Sequence, residues 1–129
     1  MRKELVEVVL RALSVHGLRA VPAFPGQQLP ILAEPLAAVG LESRNVKRLP
    51  HGIFYEQQTV FVDLYVSYRV GVQRCEEAAQ AVENAFLEGL TDYSILSIHS
   101  GEMRHDAPSD CYRLRLRAEV ASYHEEGEV

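Results

Sequence analysis

The sequence has 129 residues, 47% apolar and 24% charged, which suits one globular domain with its own core and excludes a disordered, collagen-like or low-complexity chain. Thirteen Lys and Arg against eighteen Asp and Glu leave a formal charge of −5, and residues 66–129 hold twelve of those acids against six bases. Phosphate recognition needs a basic surplus, so direct sequence-specific nucleic-acid binding is not expected.

The first segment reads as a helix. Leu5, Val8, Val9, Ala12, Leu13 and His16 recur at the spacing of one helix face, and Gly17 follows as a stop. Glu4, Glu7 and Arg11 break what would be the apolar part of a signal peptide, so the segment belongs to the mature fold. No apolar run reaches the ~20 residues that cross a bilayer, and no membrane partner is expected.

After Gly17 comes LRAVPAFPGQQLP, where Pro22, Pro25, Gly26 and Pro30 predict a short extended piece and then a loop over Pro25–Pro30. EPLAAVGLESRNVKRL, interrupted by Gly40, reads as a bent or bulged strand, with a helix over Leu36–Val39 as the alternative. The clearest strand is Thr59–Val70. Val60, Val62, Leu64, Val66, Tyr68 and Val70 fall on one face, and Thr59, Phe61, Asp63, Tyr65, Ser67 and Arg69 on the other. Its twelve residues extend roughly 40 Å, long enough to leave a small domain as a hairpin arm.

Gly71 ends that strand, and a second helix is expected from about Arg74. Cys75, Ala78, Ala79, Val82, Ala85, Phe86 and Leu90 form its apolar face; Glu76, Glu77, Glu83 and Glu88 point elsewhere. Two strands follow, about Ser94–Glu102 and Asp110–Tyr123, the latter with Tyr112, Leu114, Leu116, Ala118 and Val120 inward; the polar turn Met103–Asp110 joins them. The expected fold is α+β in the order α-β-β-β-α-β-β: one domain over residues 1–129, a mostly antiparallel sheet with both helices packed on one face. The acidic tail HEEGEV is expected to fray.

The sequence has no signature of catalysis. It lacks a Walker loop, a dinucleotide fingerprint and a nucleophile elbow. No two histidines have the i, i+4 spacing of a zinc helix, and His99, His105 and Asp106, which a hairpin could bring together, lack a third specified ligand type and read as loop residues. Cys75, near a helix N-terminus, is a candidate for a lowered pKa but has no identifiable base. Cys75 and Cys111 read as two reduced, partly buried thiols. No enzymatic activity, metal or cofactor is expected. Phe61 and Tyr65, alternating with Asp63, are expected on a sheet face covered by a helix or a partner.

In order, the amphipathic helix Leu5–His16, the proline-containing stretch Val21–Pro30, the strand VFVDLYVSYRV, the helix CEEAAQAVENAFLEGL and the pair SILSIHSGEMRHDAPSDCYRLRLRAEV resemble the tail-terminator and tail-completion (neck) proteins of tailed bacteriophages and prophage-like elements. The resemblance runs over nearly the whole chain. It implies a virion subunit, assembled in the host bacterial cytoplasm, that forms a ring, commonly hexameric. The ring ends the tail tube and meets the head, with the tail-tube and neck or connector proteins as partners and no cofactor. A head–tail connector or minor capsid protein is an alternative, as is a small-ligand regulatory domain unrelated to phages.

In such a ring, the loop residues Pro25, Gly26, Gln27 and Gln28 and the turn residues Arg104, His105 and Asp106 are candidate contacts. Arg113, Arg115 and Arg117 alternate along one strand, so three guanidinium groups leave one face over about 13 Å and need compensation. Either Asp63 and Glu119 of the same sheet supply it, or Glu76, Glu77, Glu83 and Glu88 of a neighbouring subunit do. On the second reading, reversing Arg115 to Glu weakens the ring and leaves the monomer folded.

Overall fold

The computed structural model of the protein describes residues 4–23, 34–106, 108 and 110–125. Helix α1 spans Leu5–Val15 and buries Leu5, Val9 and Leu13, the stripe the spacing predicts. It stops at Gly17, whose φ of +82° lets the Leu18 N–H reach back to the Leu13 carbonyl. Strand β1, Arg19–Pro22, is the short extended piece; the loop Pro25–Pro30 lies outside the described residues. Strand β2, Leu36–Leu49, turns through Pro50–Gly52 into β3, Ile53–Ser67. Helix α2 is Val72–Leu87, and β4 (Ser94–Ser100), β5 (Arg104–Asp106) and β6 (Cys111–Glu125) complete the chain.

The strands form one sheet in the order β1-β2-β3-β6-β4, with β5 beside β4 on the same edge of β6. Every pairing is antiparallel except β1 with β2. The α+β class, the order of elements and the helical side of the sheet agree with the sequence. Residues of α1 and α2 bury one face of the sheet in a single apolar cluster with Val60, Val62, Leu64 and Val66 of β3, Leu114, Leu116, Ala118 and Val120 of β6, and Ala37 and Val39 of β2.

Four details differ. The helical alternative over Leu36–Val39 is excluded, because those residues are strand and pair on both sides, with β1 and with β3. Strand β3 begins at Ile53, not Thr59; Glu56, Gln57 and Gln58 hid its first turns from a hydrophobic pattern. It ends at Ser67, so Tyr68 and Val70 do not continue the inward face. They lie in a 3-10 turn capped by the Ser67 hydroxyl and are exposed. The turn Met103–Asp110 is not all loop, since Arg104, His105 and Asp106 pair with Arg113, Tyr112 and Cys111.

The apolar cluster stops at Val60 on β3 and Val120 on β6. Beyond that line β2, β3 and the end of β6 continue as a three-stranded arm, from the bulge between Leu41 and Ser43 to the turn at His51 and Gly52. The buried pattern of β2 changes at the same place: Leu36–Val39 are buried and Glu42–Arg48 exposed.

Candidate functional site

The helix-free face of the sheet gathers the charged residues that the sequence singles out. Val62 and Leu64 face the helices, so the pleat turns Phe61, Asp63 and Tyr65 the other way, and pairing with β6 sets Arg117, Arg115 and Arg113 directly opposite them. Asp63 is 4% exposed although no helix covers it. Arg115 shields it, donating from Nε to Oδ1 at 2.7 Å and from Nη2 to Oδ2 at 2.8 Å, and Arg113 adds a contact from Nη2 to Oδ2 at 3.3 Å. The bond to Asp63 raises the Arg115 pKa above its ordinary value against the opposing effect of burial. Two-pronged Arg–carboxylate pairs of this kind are among the stronger charged hydrogen bonds.

Arg117 turns to Glu42, donating from Nε to both carboxylate oxygens at 3.0 and 3.1 Å. Glu119 instead accepts from the Ser97 hydroxyl at 3.1 Å. All three arginines therefore have acids of their own chain, Asp63 as the sequence suggests and Glu42 in place of Glu119. Glu42 was missed because the bulge that aims it at Arg117 breaks the alternation from which its direction would be read.

The aromatic residues belong to the same layer. The Arg115 guanidinium lies 4.2 Å from the Phe61 ring centre, and that of Arg113 lies 5.9 Å from the centre of Tyr65. Phe61 lies across Gly40 on β2; a Cβ there would come within 2.4 Å of the ring. The sequence marks Gly40 only as an interruption, whereas in the sheet it is the floor on which Phe61 rests. Neither helix covers these aromatics. Burial raises the Tyr65 hydroxyl above its ordinary pKa. At the β1 end of this face, Leu36 and Cys111 are buried against Val21 and Tyr65.

The carboxylates of α2 lie on the other side of the molecule. Glu76 is exposed, Glu77 accepts from Arg74 at 3.3 Å, Glu83 is half-buried, and Glu88 contacts His16 Nε2 at 2.8 Å. Within one chain they do not meet the arginines of β6. Pro25, Gly26, Gln27 and Gln28 fall outside the described residues.

The candidate chemical groups do not assemble a reactive centre among the described residues. His99 pairs with Arg117 on the helix-free face and His105 with Tyr112 on the other; His105 contacts Asp110 at 3.1 Å. No group of three metal-binding side chains occurs among the described residues. The suggestion of a lowered Cys75 pKa is overturned: burial, with the Glu76 charge second, raises it. Cys75 lies in the helix-side core and Cys111 on the opposite face, both buried and neither in a disulfide.

A second buried acid was not legible in the sequence. Glu56, 2% exposed on the helix side of the arm, accepts from Arg44 Nε at 2.6 Å, and His124 Nδ1 lies 3.9 Å away, stacked on Phe54. Among the open clefts that flank α2 are one of about 420 Å³ between its C-terminal end and that of α1, crossed by the His16–Glu88 contact, and one of about 550 Å³ between Phe86 and Leu87 and the edge strand β4.

No family model and no curated protein matches the chain. Among solved structures, it is similar to a chain in the virion of a native gene transfer agent particle, with 18% identity and a TM-score of 0.57, over 92% of this chain and 95% of that one. It also aligns with the type 4 fimbrial biogenesis protein PilO of Pseudomonas aeruginosa at 10% identity, over 98% of this chain and 72% of that one. There the TM-score is 0.40, too low to bear on the fold. The first likeness establishes a common fold over almost the full length of both chains.

Proposed function

We propose that this chain is a structural subunit of a phage-derived particle, and that it assembles into a closed ring that ends the tail tube and joins it to the head or neck. The observation that carries the reading is the end-to-end fold shared with a chain of a gene transfer agent virion. Such a particle is a multi-subunit assembly, and this fold has what an assembling subunit uses: a sheet longer than the helices that cover it, and an arm that leaves the body.

The layer of Asp63, Arg115 and Phe61 supports a structural reading of the helix-free face. Its charges are spent within the chain, so they hold β3 and β6 rigidly in register. On this reading the chain performs no catalysis and needs no cofactor; its work is done by interface shape and charge. The test is native mass spectrometry and electron microscopy of the purified protein, alone and with the tail-tube subunit of the same particle. Closed rings that cap tube ends and stop their growth are the expected outcome. A protein that stays monomeric at all concentrations and ignores tube ends would overturn it.

A further inference from the structure

Two strand edges are open among the described residues. β1 pairs with β2 only along Leu36–Val39, so among the described residues no further strand pairs with that side of β2 from Gly40 on, and β4 is the last strand on the other side of the sheet. Unpaired strand edges are templates for further pairing. Four of the large apolar residues left exposed lie at these two edges: Leu41 and Val46 on β2, Leu96 on β4 and Leu87 on the helix above it. Leu41 and Val46 pair with Val60 and Glu56, so both point to the helix side of the sheet. That is also the side of the cleft of about 550 Å³ between α2 and β4, lined by Phe86, Leu87, Ile95, Leu96 and Ile98.

Direction and charge agree. β2 and β4 run in opposite directions, because three antiparallel pairings separate them. Two copies set side by side in the same orientation would therefore meet with β2 antiparallel to β4. The open part of β2 carries Arg44, Lys47 and Arg48 against Glu42, whereas residues 75–103, which run from within α2 through β4, carry six acids and not one Lys or Arg, with Arg74 of α2 just outside them. Two different, complementary surfaces make a heterologous contact, the kind that closes into rings.

We propose that the open edge of β2 in one copy adds to the β4 edge of the next as an antiparallel strand, with Val46 seated in the apolar cleft between α2 and β4. This rests on the ring reading above and names the surfaces that form the ring. The bulge between Ile95 and Ser97 turns Leu96 out of the strand's alternation and leaves Ser97–Ser100 as the regular edge for pairing. Backbone bonds supply adhesion, Val46 fixes the register, and the basic edge against the acidic flank selects the orientation.

The test uses the full chain in sedimentation and native mass spectrometry. Val46→Asp and Leu96→Asp are each expected to raise the concentration needed for assembly by about tenfold or more. The melting curve of the Leu96→Asp monomer should stay unchanged, whereas Val46→Asp, which sets a second carboxylate opposite Glu56, should melt lower; Val15→Asp, at an exposed site outside the proposed contact, should assemble normally. A Val46→Cys/Leu96→Cys double variant should oxidise to a covalent ladder that ends at the ring size; if Val46→Asp unfolds, this variant decides. Rings that form equally well with both aspartates and give no ladder would overturn the edge pairing and leave the ring reading standing. A wild-type protein that never assembles would remove both.

Discussion

Arg115 grips Asp63 with two prongs, at 2.7 and 2.8 Å, across adjacent strands on the face of the sheet that no helix covers. The aspartate is shielded by the very side chain that neutralises it. Reversing Arg115 to Glu would place two carboxylates together where one is almost wholly buried. The monomer is therefore expected to lose about 3 kcal/mol or more, a fold defect and not a ring defect alone. Arg115→Ala is expected to cost less, about 1–3 kcal/mol, because Arg113 remains 3.3 Å from Asp63. Urea unfolding of the three proteins checks the ranking.

Gly40 and Phe61 are expected to be coupled. Gly40→Ala places a methyl group against the Phe61 ring, which must swing from beneath Arg115, at about 1–3 kcal/mol. In a Phe61→Ala background the same change meets no ring and should be neutral or slightly stabilising, since alanine restricts the unfolded chain. A double-mutant cycle in urea measures the coupling, and equal costs in both backgrounds would contradict it.

Glu56 should matter more to the arm than to the body. Glu56→Ala leaves Arg44 without its carboxylate and removes a buried group, an expected loss of about 1–3 kcal/mol. Hydrogen exchange should speed up first across Ser43–Leu49 and Ile53–Thr59, with α1 and α2 unaffected.

Alkaline pH should weaken the fold through two weak acids, the buried Cys75 and the half-buried Tyr65. The folded state holds the Cys75 and Tyr65 protons above their ordinary values of 9.0 and 10.0. The unfolded chain releases them first, so stability is full below about pH 9 and falls as pH rises past it. Cys75→Ala should flatten the first part of that fall. Thiol-reactive reagents should label native Cys75 only at the rate of unfolding.

The body of this fold is legible in the sequence because alternation and helical spacing report burial, and burial is complete between the helices and the sheet. Val60 to Val66 and Leu114 to Val120 were placed on the inward face by pattern alone, and α1 by its stripe. The arm is not legible in this way. Ile53–Gln58 has no helix above it, so Glu56 and Gln58 occupy positions that face inward nearer the core. The arginine stripe could be seen, and Asp63 named as one partner, because these residues are simple cross-strand neighbours. Glu42 depends on a bulge, and bulges leave little trace in composition. The two open edges are invisible until strand order is known.

Strand β6, the last of the described strands to be synthesised, lies inside the sheet, between β3 and the β4–β5 edge. Until it emerges from the ribosome, β4 and β5 have no neighbour to bind and β3 shows a bare side up to fifteen residues long. The nascent chain therefore carries two unfinished half-sheets. Folding waits on contacts as distant as Ile53 with Glu125, a topology that favours slow, late closure. During that delay strands of different nascent chains are most exposed to one another. Asp63, in the last third of β3, places a charge on that vacant strand that discourages a wrong neighbour and fits the one bearing Arg115.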